Sequence, residues 1–102
     1  MPENSKYKLT LLAENDIKEI WYYSVNRWGE KQAEKYIRQL EKRFEWLATN
    51  PESGIKRDDV KVGYCSYYEE KQTIFYRIVN DGIVVIGVPH QNEDVTRHSY
   101  EN

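Results

Sequence analysis

Residues 73–89 read TIFYRIVNDGIVVIGVP and decide the fold, because two runs of strand-forming residues flank an Asn-Asp-Gly turn. β-Branched and aromatic residues dominate both runs, and the glycine tolerates the positive φ that a tight hairpin turn requires. A similar run, VGYCSYY, occupies residues 62–68 and is joined to the first by EEKQ. The sequence therefore predicts a three-stranded antiparallel meander in the second half of the chain.

Two amphipathic helices are predicted before the meander. Residues 12–29, LAENDIKEIWYYSVNRWG, repeat apolar side chains at helical spacing, carry acids in the first turn and end at a glycine. Residues 30–51, EKQAEKYIRQLEKRFEWLATNP, place a second apolar stripe opposite a charged face and end at a proline. Because a single glycine joins the two segments, we expect them to pack as an antiparallel hairpin.

A short strand at residues 7–11, YKLTL, completes the predicted architecture. The fold class is α+β: an N-terminal strand, an antiparallel helical hairpin, then a three-stranded antiparallel meander, forming one sheet with the helices on one face. We expect the first strand to join this sheet and residues 52–61 to form a polar loop. No element then remains to cover the other face. The chain is predicted to form a single domain, 1–102, with residues 1–6 and 96–102 flexible.

Charge and composition narrow the class of protein. Fifteen lysines and arginines against 17 acids give 102 residues a net charge of −2, which disfavours tight binding to nucleic acid. The one cysteine, Cys65, cannot form an intrachain disulfide and is predicted to be an inert strand residue. No run approaches 18 apolar residues, so we expect a cytoplasmic protein that does not enter a membrane.

The strand TIFYRIV predicts a mixed apolar and basic surface. Its period of two separates Ile74, Tyr76 and Ile78 from Phe75, Arg77 and Val79. Arginine is rarely buried without a partner, so the side that carries Arg77 is predicted to be the open one. An exposed patch of this kind usually marks a binding site. The alternative is that Arg77 only pairs with a glutamate of the adjacent strand, Glu69 or Glu70.

Catalytic and metal-binding motifs are weak in this sequence. His90 and Asp94 could act as a general base and its orienting acid, but no motif places a nucleophile near them. His90 and His98 match no metal-ligand spacing, and no glycine-rich phosphate loop is present. We therefore predict no catalytic residue, no metal and no cofactor.

The segments described above, taken in order, resemble the ParE branch of the ParE/RelE superfamily of bacterial toxins from about Tyr7 to Val95. The resemblance is carried by LAENDIKEIWYYSVNRWG with its Ala-x-x-Asp-Ile-x-x-Ile core, AEKYIRQLEKRFEWLATNPESG, GYCSYY, TIFYRI and VPHQNEDV. It implies the toxin of a type II toxin–antitoxin system, neutralised by a ParD-like antitoxin and inhibiting DNA gyrase by binding. The alternatives are a RelE-like ribosome-dependent mRNA endoribonuclease and a non-toxic homologue that still binds its antitoxin.

The open sheet face distinguishes these alternatives. RelE-like nucleases are expected to gather several cations there, to stabilise the charge that develops during RNA cleavage. Arg77 falls at one such position, but Cys65 stands where a basic residue is often found in both branches. The sequence therefore favours gyrase inhibition, with no direct binding of nucleic acid by the toxin alone.

The resemblance also suggests which residues meet each partner. A disordered antitoxin tail that folds on binding is suited to an apolar groove. For Trp21, core packing against the second helix is the alternative. The residues predicted to bind the target are Arg77, His90, Asp94, Arg97 and Tyr100, and those predicted to bind the antitoxin are Trp21, Tyr22, Tyr68 and Phe75.

Overall fold

A computed structural model describes residues 6–91 and has the predicted α+β architecture. The helical hairpin and the meander both form, and their boundaries lie within a few residues of those predicted. In chain order the elements are β1 (Tyr7–Leu9), α1 (Leu11–Trp28), α2 (Glu30–Thr49), a 3-10 turn (Pro51–Ser53), β2 (Ile55–Lys56), β3 (Tyr64–Glu69), β4 (Gln72–Val79) and β5 (Gly82–Gly87).

The strands form one mixed sheet in the order β1-β5-β4-β3-β2. β1 joins the sheet as predicted, running parallel to β5, whereas the other pairs are antiparallel. The prediction of a polar loop over residues 52–61 missed a two-residue strand, because Ile55 pairs with Ser66 and Lys56 with Cys65. Both residues of β2 are exposed. Their sequence therefore carries no burial signal, and the strand forms because it satisfies the backbone groups at the edge of β3.

Thr10 fixes the start of α1 to the sheet. Its hydroxyl accepts a hydrogen bond from the Ala13 N–H at 3.1 Å and donates one to the Ile86 carbonyl at 2.7 Å. At the other end, Gly29 donates its N–H to the Val25 carbonyl at 2.9 Å and directly precedes α2. These contacts hold the helical hairpin at a defined position over β5.

The main core lies between the helical hairpin and one face of the sheet. α2 contributes a stripe of buried side chains, and α1 contributes Ala13 and Ile20. The sheet residues facing them follow the predicted period of two, since Ile74 and Tyr76 are both buried against the helices. The stripe of α2 consists of Leu40, Phe44, Leu47 and Ala48.

The opposite face of the sheet is partly covered by the chain itself. Tyr64, Phe75 and Ile86 form a second apolar cluster there, and Val60 packs against it from the segment between β2 and β3. The Arg57 guanidinium lies 5.3 Å from the centre of the Phe75 ring. The expectation that nothing covers this face is therefore wrong, because the connection before β3 folds back over it.

Asp59 holds Arg57 in this position. The two side chains form a bidentate ion pair, with both N–O distances at 3.0 Å. The hydrogen bonds from Arg57 keep the pKa of the Asp59 carboxyl below its ordinary value. One cation on this face is thus already neutralised within the chain.

Tyr76 anchors the connection between α2 and β2. Its hydroxyl donates to the Pro51 carbonyl at 2.7 Å and accepts from the Gly54 N–H at 3.0 Å. Burial raises the pKa of this hydroxyl to about 12. A side chain of β4 therefore positions the 3-10 turn that leads into the strand at the sheet edge.

Replacing Tyr76 with phenylalanine should lower the free energy of unfolding by about 2 kcal/mol, because a carbonyl and an N–H lose their partner in a part-buried site. Urea denaturation followed by circular dichroism measures the change. Tyr22→Phe is the matched control, since Tyr22 is 64% exposed and should unfold like the parent. Equal unfolding midpoints for the two variants would contradict the anchoring role of Tyr76.

Candidate binding groove

An open groove of about 710 Å³ lies where the two helices meet one end of the sheet. Its walls come from the C-terminal half of α1, the first turns of α2, the turn between β3 and β4, and the segment that follows β5. Mostly apolar concave sites of this size are the usual places where proteins bind ligands or partner segments. We therefore take this groove as the candidate functional site.

Aromatic side chains from the end of α1 form one rim of the groove. Tyr23 is 54% exposed and Trp28 is 47% exposed, and their rings meet edge to face with centroids 6.2 Å apart. The Arg27 guanidinium lies 5.5 Å from the Tyr23 ring centre and 5.9 Å from that of Trp28. The Lys71 ammonium lies 5.8 Å from the Trp28 ring centre. Half-exposed aromatic rings beside cations are typical of protein interfaces.

The floor of the groove contains two hydroxyl groups in poor hydrogen-bonding positions. Ser24 is 1% exposed, and among residues 6–91 its Oγ has no hydrogen-bond partner. The Tyr36 hydroxyl is buried as well and has no hydrogen-bond partner among residues 6–91, although the nearby Lys71 backbone acts to lower its pKa. Burial raises the pKa of Tyr36 to about 12, with further raising contributions from Glu70 and Glu69.

Hydrogen bonds between elements hold the walls of the groove in place. Asp16 on α1 accepts a bond from the Val88 N–H at 2.8 Å, which fixes the chain where it leaves β5. Glu69, at the end of β3, accepts from Arg43 at 2.8 Å and from Gln39 at 3.0 Å. These bonds join α1 and α2 to the sheet on both sides of the groove. The groove is therefore formed before any partner binds.

The predicted antitoxin-binding residues are scattered over the surface. Tyr22 is exposed and Trp21 is half-buried on α1, beside the residues that line the groove. Tyr68 is 59% exposed and faces away from the helices. The prediction that Phe75 lies on an open surface is wrong, because its side chain is fully buried beneath Arg57 and its apolar neighbours.

Arg77 is exposed on the sheet face away from the helices, where β4 places it between Tyr64 and Val84. Within residues 6–91 it makes no ion pair, so the predicted alternative of pairing with Glu69 or Glu70 is wrong. Those glutamates instead bond to side chains of α2, Gln39 and Arg43. Lys8 lies on the other side of Val84 on the same face. The exposed cations on this face therefore flank an apolar side chain.

His90 is half-buried in the groove and forms an isolated β-bridge with Gln72. Gln72 precedes Arg77 by five positions on β4, which corresponds to roughly 17 Å along a strand. Arg77 and His90, which were both predicted to bind the target, therefore belong to different surfaces. Asp94, Arg97 and Tyr100, also predicted to contact the target, lie outside the described residues.

Sequence reasoning did not assign a binding role to four groove residues: Ser24, Tyr23, Trp28 and Tyr36. The available signal was the apolar stripe of α1, which continues through Ser24 to Trp28. The start of that helix packs on the main core, whereas its last turns line the groove. When the apolar stripe of a helix extends beyond the surface on which it packs, the remaining apolar side chains are available to contact another molecule.

Comparison with known proteins identifies the family. Residues 7–95 match the family model described as ParE toxin of type II toxin-antitoxin system, parDE. The chain belongs to the ParE toxin family. The resemblance noted in the sequence is thereby confirmed, and the protein is a ParE toxin of a type II toxin–antitoxin system.

Two curated relatives cover nearly the whole of this ParE toxin. Toxin ParE1 of Mycobacterium tuberculosis is 36% identical over 96 residues, which span 93% of this chain and 98% of the relative. Toxin ParE1 of Caulobacter vibrioides is 34% identical over 92 residues, spanning 90% and 95% respectively. A solved structure described as "Chromosomal ParDE TA system from P. aeruginosa" superposes with a TM-score of 0.72 at 18% identity, covering 84% of this chain and 95% of that chain. At that identity the structural match supports the fold alone.

Residues 6–91 contain neither a membrane-spanning helix nor a metal-binding cluster. Neither helix in this range is both long enough and apolar enough to cross a membrane. No group of histidine, cysteine and acidic side chains in this range is arranged to hold a metal ion. Cys65 is buried on the helix-facing side of β3, and burial raises the pKa of its thiol.

Proposed function

We propose that this ParE toxin inhibits DNA gyrase in the cytoplasm by binding it, and that a ParD-like antitoxin neutralises the toxin. The observation that carries the proposal is the family match, which spans residues 7–95 and is accompanied by relatives named toxin ParE1 over at least 90% of the chain. The family model is described as that of the toxin of the parDE type II system, which supports a partner of the ParD type.

The geometry of the charged residues supports binding rather than catalysis. Cleavage of RNA requires a base, an acid and cations around one phosphate. Arg77 and His90 lie on different surfaces, separated by roughly 17 Å along β4. Arg57, the other arginine near Arg77's face, is already paired with Asp59. The described residues therefore favour a toxin that acts by contacting another protein.

We assign the two partners to two surfaces. The groove beside Tyr23 and Trp28, with Tyr22 next to it, suits an antitoxin segment, because its exposed aromatic rings would be covered on binding. The sheet face around Arg77 suits the target, because it presents an exposed cation beside apolar side chains. Trp21 and Tyr68 stay predicted contacts of the antitoxin. His90 stays a predicted contact of the target, as do Asp94, Arg97 and Tyr100.

Expression of the toxin with and without the antitoxin encoded beside it tests the proposal. Alone, the toxin should stop growth and induce a DNA-damage response, and purified toxin should inhibit gyrase supercoiling in vitro. Co-expression of the antitoxin should restore growth. Normal supercoiling in the presence of excess toxin would contradict the gyrase assignment. Ribosome-dependent mRNA cleavage would instead support the RelE-like alternative.

Arg77→Ala should raise the toxin concentration needed for half-maximal inhibition of supercoiling by roughly tenfold, as expected for loss of one interfacial arginine. The control is Arg38→Ala, because Arg38 lies on the exposed face of α2 and, within residues 6–91, pairs only with Glu34 one turn away. Both variants should keep the circular dichroism spectrum and the antitoxin affinity of the parent. Equal inhibition by the two variants would contradict the assignment of Arg77 to the surface that binds the target.

A further inference from the structure

We propose that Ser24 and Tyr36 form a hydrogen-bonding site on the floor of the groove, which recognises a hydroxyl or carboxamide side chain of the bound antitoxin segment. The inference rests on the proposed function, in which the antitoxin occupies this groove. It adds the chemical identity of the group that the segment must insert. The hydroxyls of Ser24 and Tyr36 thereby become determinants of partner specificity.

The burial of Ser24 without a partner is the first reason. A hydroxyl that is removed from water and makes no hydrogen bond lowers the stability of the free protein. Ser24 is only 1% exposed, and its Oγ makes no hydrogen bond within residues 6–91. Alanine fills the other small buried positions of the helical hairpin, at Ala13, Ala33 and Ala48. An alanine at position 24 would therefore pack as well and would avoid the cost.

The placement of Tyr36 is the second reason. Its ring packs against the main core from α2, and its hydroxyl lines the groove together with Ser24. This hydroxyl has no hydrogen-bond partner among residues 6–91, although the Lys71 backbone lies near enough to lower its pKa. Two buried hydroxyls of one groove thus have unused hydrogen-bonding capacity, which a single polar group could satisfy.

The charges at the site specify the chemistry of the occupant. Arg27 and Lys71 lie over the Trp28 ring and make no ion pair within residues 6–91, so they complement a carboxylate at the rim. The floor lies close to Glu70 and Glu69, whose charges disfavour a second anion there. The fitting segment is therefore amphipathic, with an acidic residue at the rim, an apolar side chain against Trp28, and Ser, Thr, Asn or Gln at the floor.

The test compares affinity with stability in single-hydroxyl variants of the full chain. The probe is a synthetic peptide of the C-terminal half of the antitoxin encoded beside the toxin, titrated by isothermal calorimetry. Ser24→Ala and Tyr36→Phe should each raise the dissociation constant about tenfold, because the inserted polar group loses a partner. Ser24→Ala should at the same time raise the melting temperature of the free toxin by about 4 °C, since an unsatisfied hydroxyl is removed.

Matched controls carry the same chemical changes at hydroxyls that are bonded within the chain. Ser66 is 1% exposed and accepts a hydrogen bond from Arg57 at 3.4 Å, on the face away from the groove. Tyr76 bonds to Pro51 and Gly54. Ser66→Ala and Tyr76→Phe should lower the melting temperature and leave the peptide affinity unchanged.

The outcomes separate this inference from the proposed function. If the parent binds the peptide and both groove variants bind it equally well, the inference is overturned and the proposed function stands. A fall in melting temperature for Ser24→Ala, as large as that for Ser66→Ala, would also overturn it by showing a structural hydrogen bond. If the parent does not bind the peptide, the proposal that the antitoxin binds this groove is contradicted, and the inference that rests on it is overturned as well.

Discussion

Gly82→Ala is expected to lower the free energy of unfolding by about 3 kcal/mol or more, a large effect for a single methyl group. Gly82 begins β5 with a φ of +153°, and a Cβ at this position would overlap the Lys6 carbonyl group, whose carbon would lie 2.7 Å away. That carbonyl accepts the hydrogen bond from the Ile83 N–H at 3.0 Å. An added methyl group therefore forces β1 away from β5 and exposes Tyr7 and Leu9, which pack on the core.

The matched control for this substitution is Gly63→Ala. Gly63 also has a positive φ, +90°, but a Cβ there would meet no heavy atom within 4 Å. Gly63→Ala should lower the free energy of unfolding by only about 1 kcal/mol, because alanine is less favourable than glycine at a positive φ. Urea denaturation measures both losses, and hydrogen exchange should show faster exchange of the β1 amides in Gly82→Ala alone. Similar losses in the two variants would contradict the close approach of Lys6 to β5.

Trp28→Ala is expected to weaken binding of the antitoxin roughly 30- to 100-fold while changing the stability of the free toxin little. Trp28 is 47% exposed in the free chain, so its truncation removes little core packing. At the rim of the groove its ring contacts Tyr23, Arg27 and Lys71, so it is the apolar centre of this part of the proposed interface. Buried tryptophans at the centre of an interface commonly contribute about 2 kcal/mol or more on truncation, at roughly 1.4 kcal/mol per tenfold change in affinity.

Trp46→Ala provides the control for Trp28→Ala. Trp46 is 39% exposed and stacks with Tyr67 and Arg43, with its ring centre 4.8 Å from the Arg43 guanidinium. It does not line the groove, so its loss should leave the affinity for the antitoxin unchanged. The affinities follow from calorimetric titration with the same antitoxin peptide. If Trp46→Ala weakened binding as much as Trp28→Ala, the antitoxin would cover a different side of the helical hairpin.

Local patterns in the sequence predicted most of the fold correctly. The period of two along β4 assigned Ile74 and Tyr76 to the helix-facing side and Phe75 and Arg77 to the other, as observed. Helical spacing and the single glycine between the helices predicted the antiparallel hairpin. These features follow from the sequence because backbone geometry alone relates neighbouring residues to one side or the other.

Long-range contacts decided what the sequence pattern could not predict. Whether Phe75 is exposed depends on Arg57 and Val60, which return over the sheet from a segment with no burial signal of its own. The separation of Arg77 from His90 depends on the pairing register that brings His90 to Gln72.

The sequence by itself determined the family, the helices, the meander and the two sides of β4. The tertiary structure alone decided β2, the covered part of the sheet and the groove. The physical reason is that periodicity records which side of an element is apolar, whereas a cavity or a cover depends on where separate elements meet in space. The two hydroxyls of Ser24 and Tyr36 are such a feature, since two helices and the end of the sheet must assemble before they share one floor.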